Sequence, residues 1–489
     1  MKKYLIKNFL LQKISIYYLV TIFCIATIAG IVFSSAAGFI FFRHSIWVAL
    51  SISLILISLF YRKKVAIILV IIAGILIGFY RSSNYTFGRA EIYKFQGKAI
   101  VLSGKISDDI SYGPGGDIRF KLKNITVNGK DSRGEVWAST RQNIKLKRSD
   151  YIVLSGKLNK GFGGFFASIP GANITQINKQ SKNDYGLRTR DNFASSVKLN
   201  EPGRTLGLGF LLGQKNDLPE DLQNKIKLLG LSHIVVASGY NLTILVAFAR
   251  KIFKNISKYL SALLGFFMIF GFILITGFSP SMSRAGIVAG LSLLAWYYGR
   301  KVHPVTILLI SATITLLVKP SYIWGDLGWY LSFLAFVGVL VLAPLLHHYF
   351  FGKDKKPSWF RELTIVTLSA QIMTLPILLY SFGQFSLYAL VANILILPVI
   401  PFAMMAVFIS GISGIYINFA SGLLSVPGNL ILKYCTFMID KVANLPGVLN
   451  EVKLGVVQMF GLYALLLAGL VFLKMRTKHN FLNDKNIID

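Results

Sequence analysis

By length alone, 489 residues would fill about three ordinary domains. Hydrophobic residues make up 54% and charged residues 15%, with mean hydropathy +0.60; soluble globular chains carry roughly 25% charged residues, so a soluble enzyme, a disordered chain and a disulfide scaffold are excluded and a polytopic membrane protein is implied. Lys and Arg number 52 against 20 Asp and Glu, a net charge of +32, which calls for anionic surroundings, either lipid headgroups or nucleic acid.

The chain opens with Lys2, Lys3, Lys7 and Lys13, followed by an apolar run from Ile16 to Phe33. The run is long enough to span a bilayer and no small-residue cleavage site stands out, so it reads as a retained helix. Further runs cover Ser45 to Phe60 and Val65 to Tyr80, separated by Arg62, Lys63 and Lys64. The positive-inside rule places these cationic clusters in the cytoplasm. The third helix then exits, and the chain after Arg81 starts on the extracytoplasmic side.

Residues 98–180 change character. Ala99–Ile106, Asp117–Val127, Gly134–Arg141, Tyr151–Leu158 and Ala172–Ile177 read as short strands. Gly113-Pro114-Gly115-Gly116 and Asn128-Gly129 supply turns between them. This pattern predicts a small β-barrel, OB-fold-like, with a two-sheet sandwich as the alternative. From Lys98 to Lys182 there are 15 Lys and Arg against 6 Asp and Glu. Arg119, Lys121 and Lys123 alternate with Phe120 and Leu122, so period two puts the three cations on one face. Lys145, Lys147 and Arg148 add charge, and Tyr112, Trp137, Phe162, Phe165 and Phe166 offer stacking surfaces. Two readings stand: a site for a single-stranded polyanion, or a solvated face touching anionic lipid.

Residues 206–232 hold an amphipathic helix, Glu220–Leu229, expected to lie along the outer surface. Spans follow at Ile234–Phe248, Tyr259–Gly277, Arg284–Tyr298, Pro304–Val318, Leu327–Leu346, Leu363–Ser381, Leu387–Ser410, Ile415–Ile439 and Leu454–Leu473. Basic residues recur on alternate connections: Arg250, Lys251 and Lys254; Arg300 and Lys301; Lys353 to Lys356; then Lys474, Arg476 and Lys478. The fold class is thus a polytopic α-helical membrane protein of about 10–12 helices, with an inserted extracytoplasmic β domain and both termini cytoplasmic. Its parts are N-terminal helices (1–81), the β domain (98–180), a helical membrane domain (200–475) and a cytoplasmic tail (476–489).

Candidate chemistry is sparse. Cys24 and Cys435 sit in apolar runs, and His347-His348 read as a cytoplasmic helix end, so no metal site is expected. Gly207 to Lys215 lacks the Gly-Lys-Ser/Thr ending of a phosphate-binding loop, so no ATPase motor and no cofactor are expected. In Ser232-His233 through Ser238-Gly239-Tyr240-Asn241, a polar patch opens an apolar helix. A nucleophilic Ser238 with His233 as base is disfavoured, because five residues on a helix point to different faces; helix packing or pore lining is the alternative. In Ser279-Pro280-Ser281-Met282-Ser283-Arg284, Pro280 suits a turn outside the helix and Ser283 an N-cap. Arg284 opposes the helix dipole there, so it meets a partner or an anion, or snorkels to headgroups. Asp326 is either a partner for Arg284 or an N-cap. Asn393, Pro398 and Pro401 mark a broken helix or ordinary kinks.

These segments resemble the ComEC-type competence protein family of DNA internalisation channels. Phe210-Leu-Leu-Gly213, Gly230-Leu-Ser-His233 and Ser238-Gly239 resemble its first pattern, and Pro280-Ser281-x-x-Arg284-Ala285 the second. Asp326-Leu-Gly-Trp-Tyr-Leu-Ser332 resembles the third, with Pro376 and Asn393 following. The order agrees over residues 20–475.

The resemblance implies an extracytoplasmic OB-like domain, and a helical domain admitting single-stranded DNA through the cytoplasmic membrane. Its path residues would be His233, Ser238, Gly239, Asn241, Ser281, Arg284, Asp326 and Asn393. The sequence departs from the family at Tyr240-Asn241, where a histidine is usual, which removes a titrating group. The family's C-terminal metallo-β-lactamase-like domain is not expected here. A nuclease, a DNA receptor and a cytoplasmic ATPase would be separate partners, and no catalytic residue is assigned. An intramembrane enzyme and a transporter of another anionic polymer or small anion are the competing readings.

Overall fold

The computed structural model describes the chain except residues 1–14, 62–64, 114, 215–216, 236–238, 254–256, 278–279, 301–302, 353–357, 418, 420 and 480–489. Ser238 therefore lies outside the described residues, as do Lys2 to Lys13, Arg62 to Lys64, Lys254, Lys301 and Lys353 to Lys356 of the charge argument. The chain divides into two compact units, Met1–Asn183 with Thr306–Trp329, and Asp184–Val305 with Tyr330–Asp489.

In the first unit, helix Ile16–Ala37 packs along helix Val65–Tyr93. The contact is made by small residues, as membrane helices without a hydrophobic driving force require. A Cβ on Gly74 would lie 2.8 Å from Ala26 Cβ, and one on Gly78 would lie 2.5 Å from Thr27 O. Helix Ile46–Tyr61 packs on the same partner. The Val65 helix was expected to end near Tyr80, but it runs on to Tyr93. Its 29 residues span about 43 Å at 1.5 Å per residue, more than the roughly 30 Å hydrocarbon core. The continuation buries Ser82, Ser83 and Ile92 and sets the Tyr85 ring 4.5 Å from that of Phe166, so it carries the β domain directly.

That domain contains β1 (Ala99–Ile106), β2 (Ser111–Tyr112), β3 (Ile118–Val127), β4 (Lys130–Ser132), β5 (Val136–Thr140), β6 (Tyr151–Lys157), β7 (Asn159–Lys160), β8 (Ala167–Ile169) and β9 (Asn173–Asn178). Alternation along the strands buries Leu102, Phe120, Leu122, Val136 and Leu154 in one core. Asn128 and Gly129, both at positive φ, turn β3 into β4, as the sequence predicts. The sheet is a single path, β7-β8-β5-β3-β1-β6-β9, with β2 and β4 on β3. It does not close into the expected barrel. At one end stand β7 and β8, two and three residues long, too short a ladder to receive β9.

Helix Pro304–Val318 also belongs to this unit, although sequence neighbours on both sides lie in the other. The Thr21 and Thr306 hydroxyls are 3.2 Å apart, and Thr313 Oγ1 donates to Cys24 O at 3.4 Å. Arg81 donates through Nε to Leu317 O and through Nη2 to Val318 O at 2.5 Å. A cation on the last carbonyls of a helix satisfies orphan acceptors and complements the dipole.

In the second unit, helix Gly203–Leu212 is buried at every position except Arg204. This helix, which the sequence reading leaves unassigned, is core, packed among Leu432, Cys435 and Ile439. Helix Glu220–Leu228 keeps the amphipathic pattern: Leu222 and Ile226 face inward, and Lys225 Nζ meets Asp221 at 2.6 Å and Asp440 at 2.7 Å.

Among the described residues the apolar runs fall on helices, but fewer are full spans than the 10–12 expected. Seven helices among the described residues are long and apolar enough to cross a membrane. An eighth forms if Ala389–Ile396 and Ile400–Tyr416, bent by 50°, make one span. The break falls at Leu397-Pro398-Val399, where proline cannot continue the ladder. Ile46–Tyr61 and Pro304–Val318 have 16 and 15 residues, about 22–24 Å of helix, short of a hydrocarbon core. Pro427, in contrast, is accommodated inside helix Ser421–Ala443.

Candidate functional site

The cationic face of the β domain forms as period two requires. Phe120 and Leu122 are buried, while Arg119, Lys121 and Lys123 lie half-buried opposite them. Register puts Trp137 across from Lys121 and Ser139 across from Arg119, hence on the same face. Trp137 meets Phe162 at 5.4 Å between ring centroids, and Phe162 meets Phe165 at 5.5 Å. Lys121 Nζ stands 5.9 Å from the Phe165 ring centre. Phe166 turns the other way, into the core. A groove of about 930 Å³ continues this face past Arg119, Trp137, Arg141, Gln142 and Asn173.

The cations are held by acids. Arg119 Nε donates to Asp117 at 2.7 Å, Lys121 Nζ to Asp108 at 2.9 Å, and Lys123 Nζ lies 3.3 Å from Glu135. Glu135 also accepts from Lys319 Nζ, which arrives from the loop after helix Pro304–Val318. The Arg119 hydrogen bond holds the Asp117 carboxyl below its usual range. Burial would raise Glu135, but Lys319 and Lys123 outweigh it and keep that carboxyl below its usual range too. Burial would lower Lys121, but Asp108 more than compensates. Sequence reading missed Lys319, whose only local signal is one cation ending an apolar helix. Lys145 and Lys147 are exposed on the 141–150 loop, whereas Arg148 is 6% exposed and presents little charge to solvent.

Asp326 belongs to the same unit. Its Oδ1 accepts from Trp329 N at 2.7 Å, so it caps the helix starting at Leu327. Before it, a Cβ on Gly325 would lie 2.7 Å from Gly163 Cα, so this glycine lets the β-domain loop approach.

In the second unit the other motif segments meet. A Cβ on Gly239 would lie 3.2 Å from Ala285 Cβ and 3.7 Å from the Phe336 ring. Asn241 is fully buried, and its Nδ2 donates to Phe210 O at 2.9 Å and Ile234 O at 3.2 Å. One amide thus ties Phe210-Leu-Leu-Gly213 to the segment after His233. Arg284 is 1% exposed, its guanidinium 5.9 Å from the Phe333 ring centre. It does not snorkel. Helix Pro280–Tyr297 begins at the proline, which places Ser281 and Ser283 in its first turn, so Ser283 is not the N-cap. Pro fits there because the first N–H groups of a helix have no intrahelical acceptor. His233 Nδ1 is 2.9 Å from Gly230 O. Asn393 is buried and donates to Ala389 O of its own helix at 2.9 Å. Among the described residues no group of three His, Cys, Asp or Glu is placed to hold a metal.

Long apolar helices joined to a separate β-sheet domain define a multi-pass membrane protein. The sequence model of the family described as Competence protein matches residues 210–476, more than half of the chain, and the chain belongs to that family. It is 27% identical over 203 residues to ComE operon protein 3 of Bacillus subtilis (strain 168), covering 41% of this chain and 25% of that protein. It is 24% identical over 268 residues to an uncharacterized protein of Aquifex aeolicus (strain VF5), covering 54% and 60% respectively. The chain thus covers less than two thirds of either relative's length. No solved structure matches.

Proposed function

We propose that this protein admits single-stranded DNA through the cytoplasmic membrane during DNA uptake. The observation that carries the reading is Arg284. A guanidinium 1% exposed in a helical membrane unit carries a large desolvation cost and needs a functional reason. It stands among the segments through which the family is recognised. A bare polyanion cannot cross hydrocarbon, and a fixed cation lowers that cost wherever the helices part to uncover it.

The β domain, small and basic, collects the strand on the extracytoplasmic side. Arg119, Lys121 and Lys123 meet phosphates while Trp137 and Phe162 stack bases. Lys145 and Lys147 extend the cationic surface. Gly239, Asn241 and Asn393 hold helices that frame the path, and His233 and Ser281 line its polar entrance. Lipid surrounds the helices. A receptor, a nuclease and an ATPase on separate chains deliver the strand, degrade its complement and pull.

The test is uptake of labelled duplex DNA by cells. Deleting the gene leaves surface-bound label and removes nuclease-protected strand from the cytoplasm. Arg284→Gln, at unchanged membrane level, lowers transformants by ~10-fold or more, equivalent to about 1.4 kcal/mol, and Arg284→Lys recovers part of the loss. Normal uptake in the deletion strain, or wild-type transformation by Arg284→Gln, overturns the reading.

A further inference from the structure

All three cations of the β3 strip lie against carboxylates from other positions of the same domain: Arg119 with Asp117, Lys121 with Asp108, and Lys123 with Glu135, which also takes Lys319. The acids come from different places. Asp108 follows β1 and Glu135 precedes β5, while Asp117 lies just before β3, two residues from Arg119, so local sequence places the Asp117 pair but does not force the Asp108 and Glu135 pairs. Alternate residues on one strand stand about 6.7 Å apart, close to the spacing of successive phosphates in an extended single strand. The carboxylates therefore occupy the row where a phosphate backbone would lie. Four cations and three acids nearly cancel, although residues 98–182 as a whole carry a large positive excess.

We infer that Asp108, Asp117 and Glu135 are built-in competitors for the strand. Phosphates bind this face by exchanging with the carboxylates, one for one. The exchange keeps affinity low enough for the strand to move on. A strip of free cations would gain the full counter-ion release of each phosphate contact; a masked strip must break an ion pair for each contact. This inference rests on the DNA-conduit reading above and adds how the strand is released.

The depressed carboxyls of Asp117 and Glu135 keep the mask charged at neutral pH. The half-exposed Arg119 and Lys121 side chains leave it open to exchange, while the Glu135–Lys319 pair, at 18% and 15% side-chain exposure, also anchors the domain to the loop after helix Pro304–Val318. The two roles separate by position. Asp108 and Asp117 can be neutralised without touching the anchor.

The test uses the full-length protein in lipid nanodiscs and a fluorescein-labelled oligothymidylate, read by anisotropy across a salt series. The Asp108→Asn/Asp117→Asn double variant is expected to bind ~10-fold or more tightly at low salt. Its slope of log affinity against log salt steepens by about 1.4, because each freed phosphate contact contributes about 0.7 for a single strand. Adding Glu135→Gln extends the trend, and the double variant stands as the decisive arm if that triple variant is unstable. Arg119→Gln/Lys121→Gln is the control that weakens binding. If the cation variant weakens binding while the acid variant keeps wild-type affinity and slope, the mask is refuted and the conduit reading stands. If neither wild type nor the acid variant binds the oligonucleotide, both fall together.

Discussion

Asn241 shows what one side chain can do in a dry interior. Its amide satisfies two backbone carbonyls, Phe210 O and Ile234 O. A neutral imidazole has only one N–H to donate, whereas this asparagine amide has two and serves both carbonyls without a titratable group. Asn241→Ala leaves both acceptors without this donor, at ~1–3 kcal/mol for each unsatisfied group. Denaturant unfolding in detergent should show that loss, and Asn241→Asp, which sets negative charge beside the carbonyls, should cost more. Glu135 makes a pH prediction. Its carboxyl is held below the ordinary 4.5 by Lys319 and Lys123. A depressed folded pKa means its contribution is complete above 4.5 and is lost as pH falls through the lower folded value. Thermal unfolding midpoints of wild type minus Glu135→Gln should therefore be constant from pH 7 to about 4.5 and shrink below it. A difference unchanged down to pH 3 would refute the assignment. The strip's cations were legible because strand period two is a local rule; its acids were not, since Asp108 and Glu135 reach it only through sheet pairing.

Helices and strands were legible to within a few residues wherever apolar periodicity was strong. β1 and helix Pro304–Val318 fall where the sequence places them. The misses have physical causes. The Val65 helix outruns its apolar stretch because Ser82, Ser83 and Ile92 gain burial outside the expected span. Gly203–Leu212 was not assigned to any element, because ten residues are too few to signal a span, yet its apolar and small side chains pack on all sides. At this scale the glycines of the Ile16–Ala37 and Val65–Tyr93 pair make a sharp prediction. Gly78→Ala puts a methyl 2.5 Å from Thr27 O, a backbone atom that cannot yield without moving the helix. Gly461→Ala on helix Val456–Thr477 meets nothing within 4 Å. The first should lower the thermal midpoint in detergent by several degrees, in line with about 1–3 kcal/mol for overpacking. The second should be neutral or gain slightly, since alanine favours helix over glycine by about 1 kcal/mol. Equal effects would mean that the two helices do not depend on that contact.

The whole molecule is built by a chain that leaves its second unit, contributes residues 306–329 to the first, and returns. No composition shift marks that excursion. Helix Pro304–Val318 looks like any other apolar run, and its buried Thr306, Ser311, Thr313 and Thr315 become meaningful only once their neighbours are known. The hydroxyl of Thr21, the carbonyl of Cys24 and the guanidinium of Arg81 all meet it from the N-terminal helices. Ser35 accepts from Trp324 Nε1 at 2.6 Å just beyond. A fragment of residues 184–489 therefore lacks the partners of one of its own helices. Expressed alone it should reach the membrane poorly and be degraded, because the buried Thr306 hydroxyl loses its Thr21 partner and the last carbonyls of the helix lose the Arg81 cap. Co-expression with residues 1–183 should restore both its level and its resistance to protease. Adding Arg81→Met to the N-terminal fragment should weaken that rescue by removing the cap from the helix end. If residues 184–489 accumulate stably alone, the excursion is a passive crossing, and the first unit ends where the β domain does.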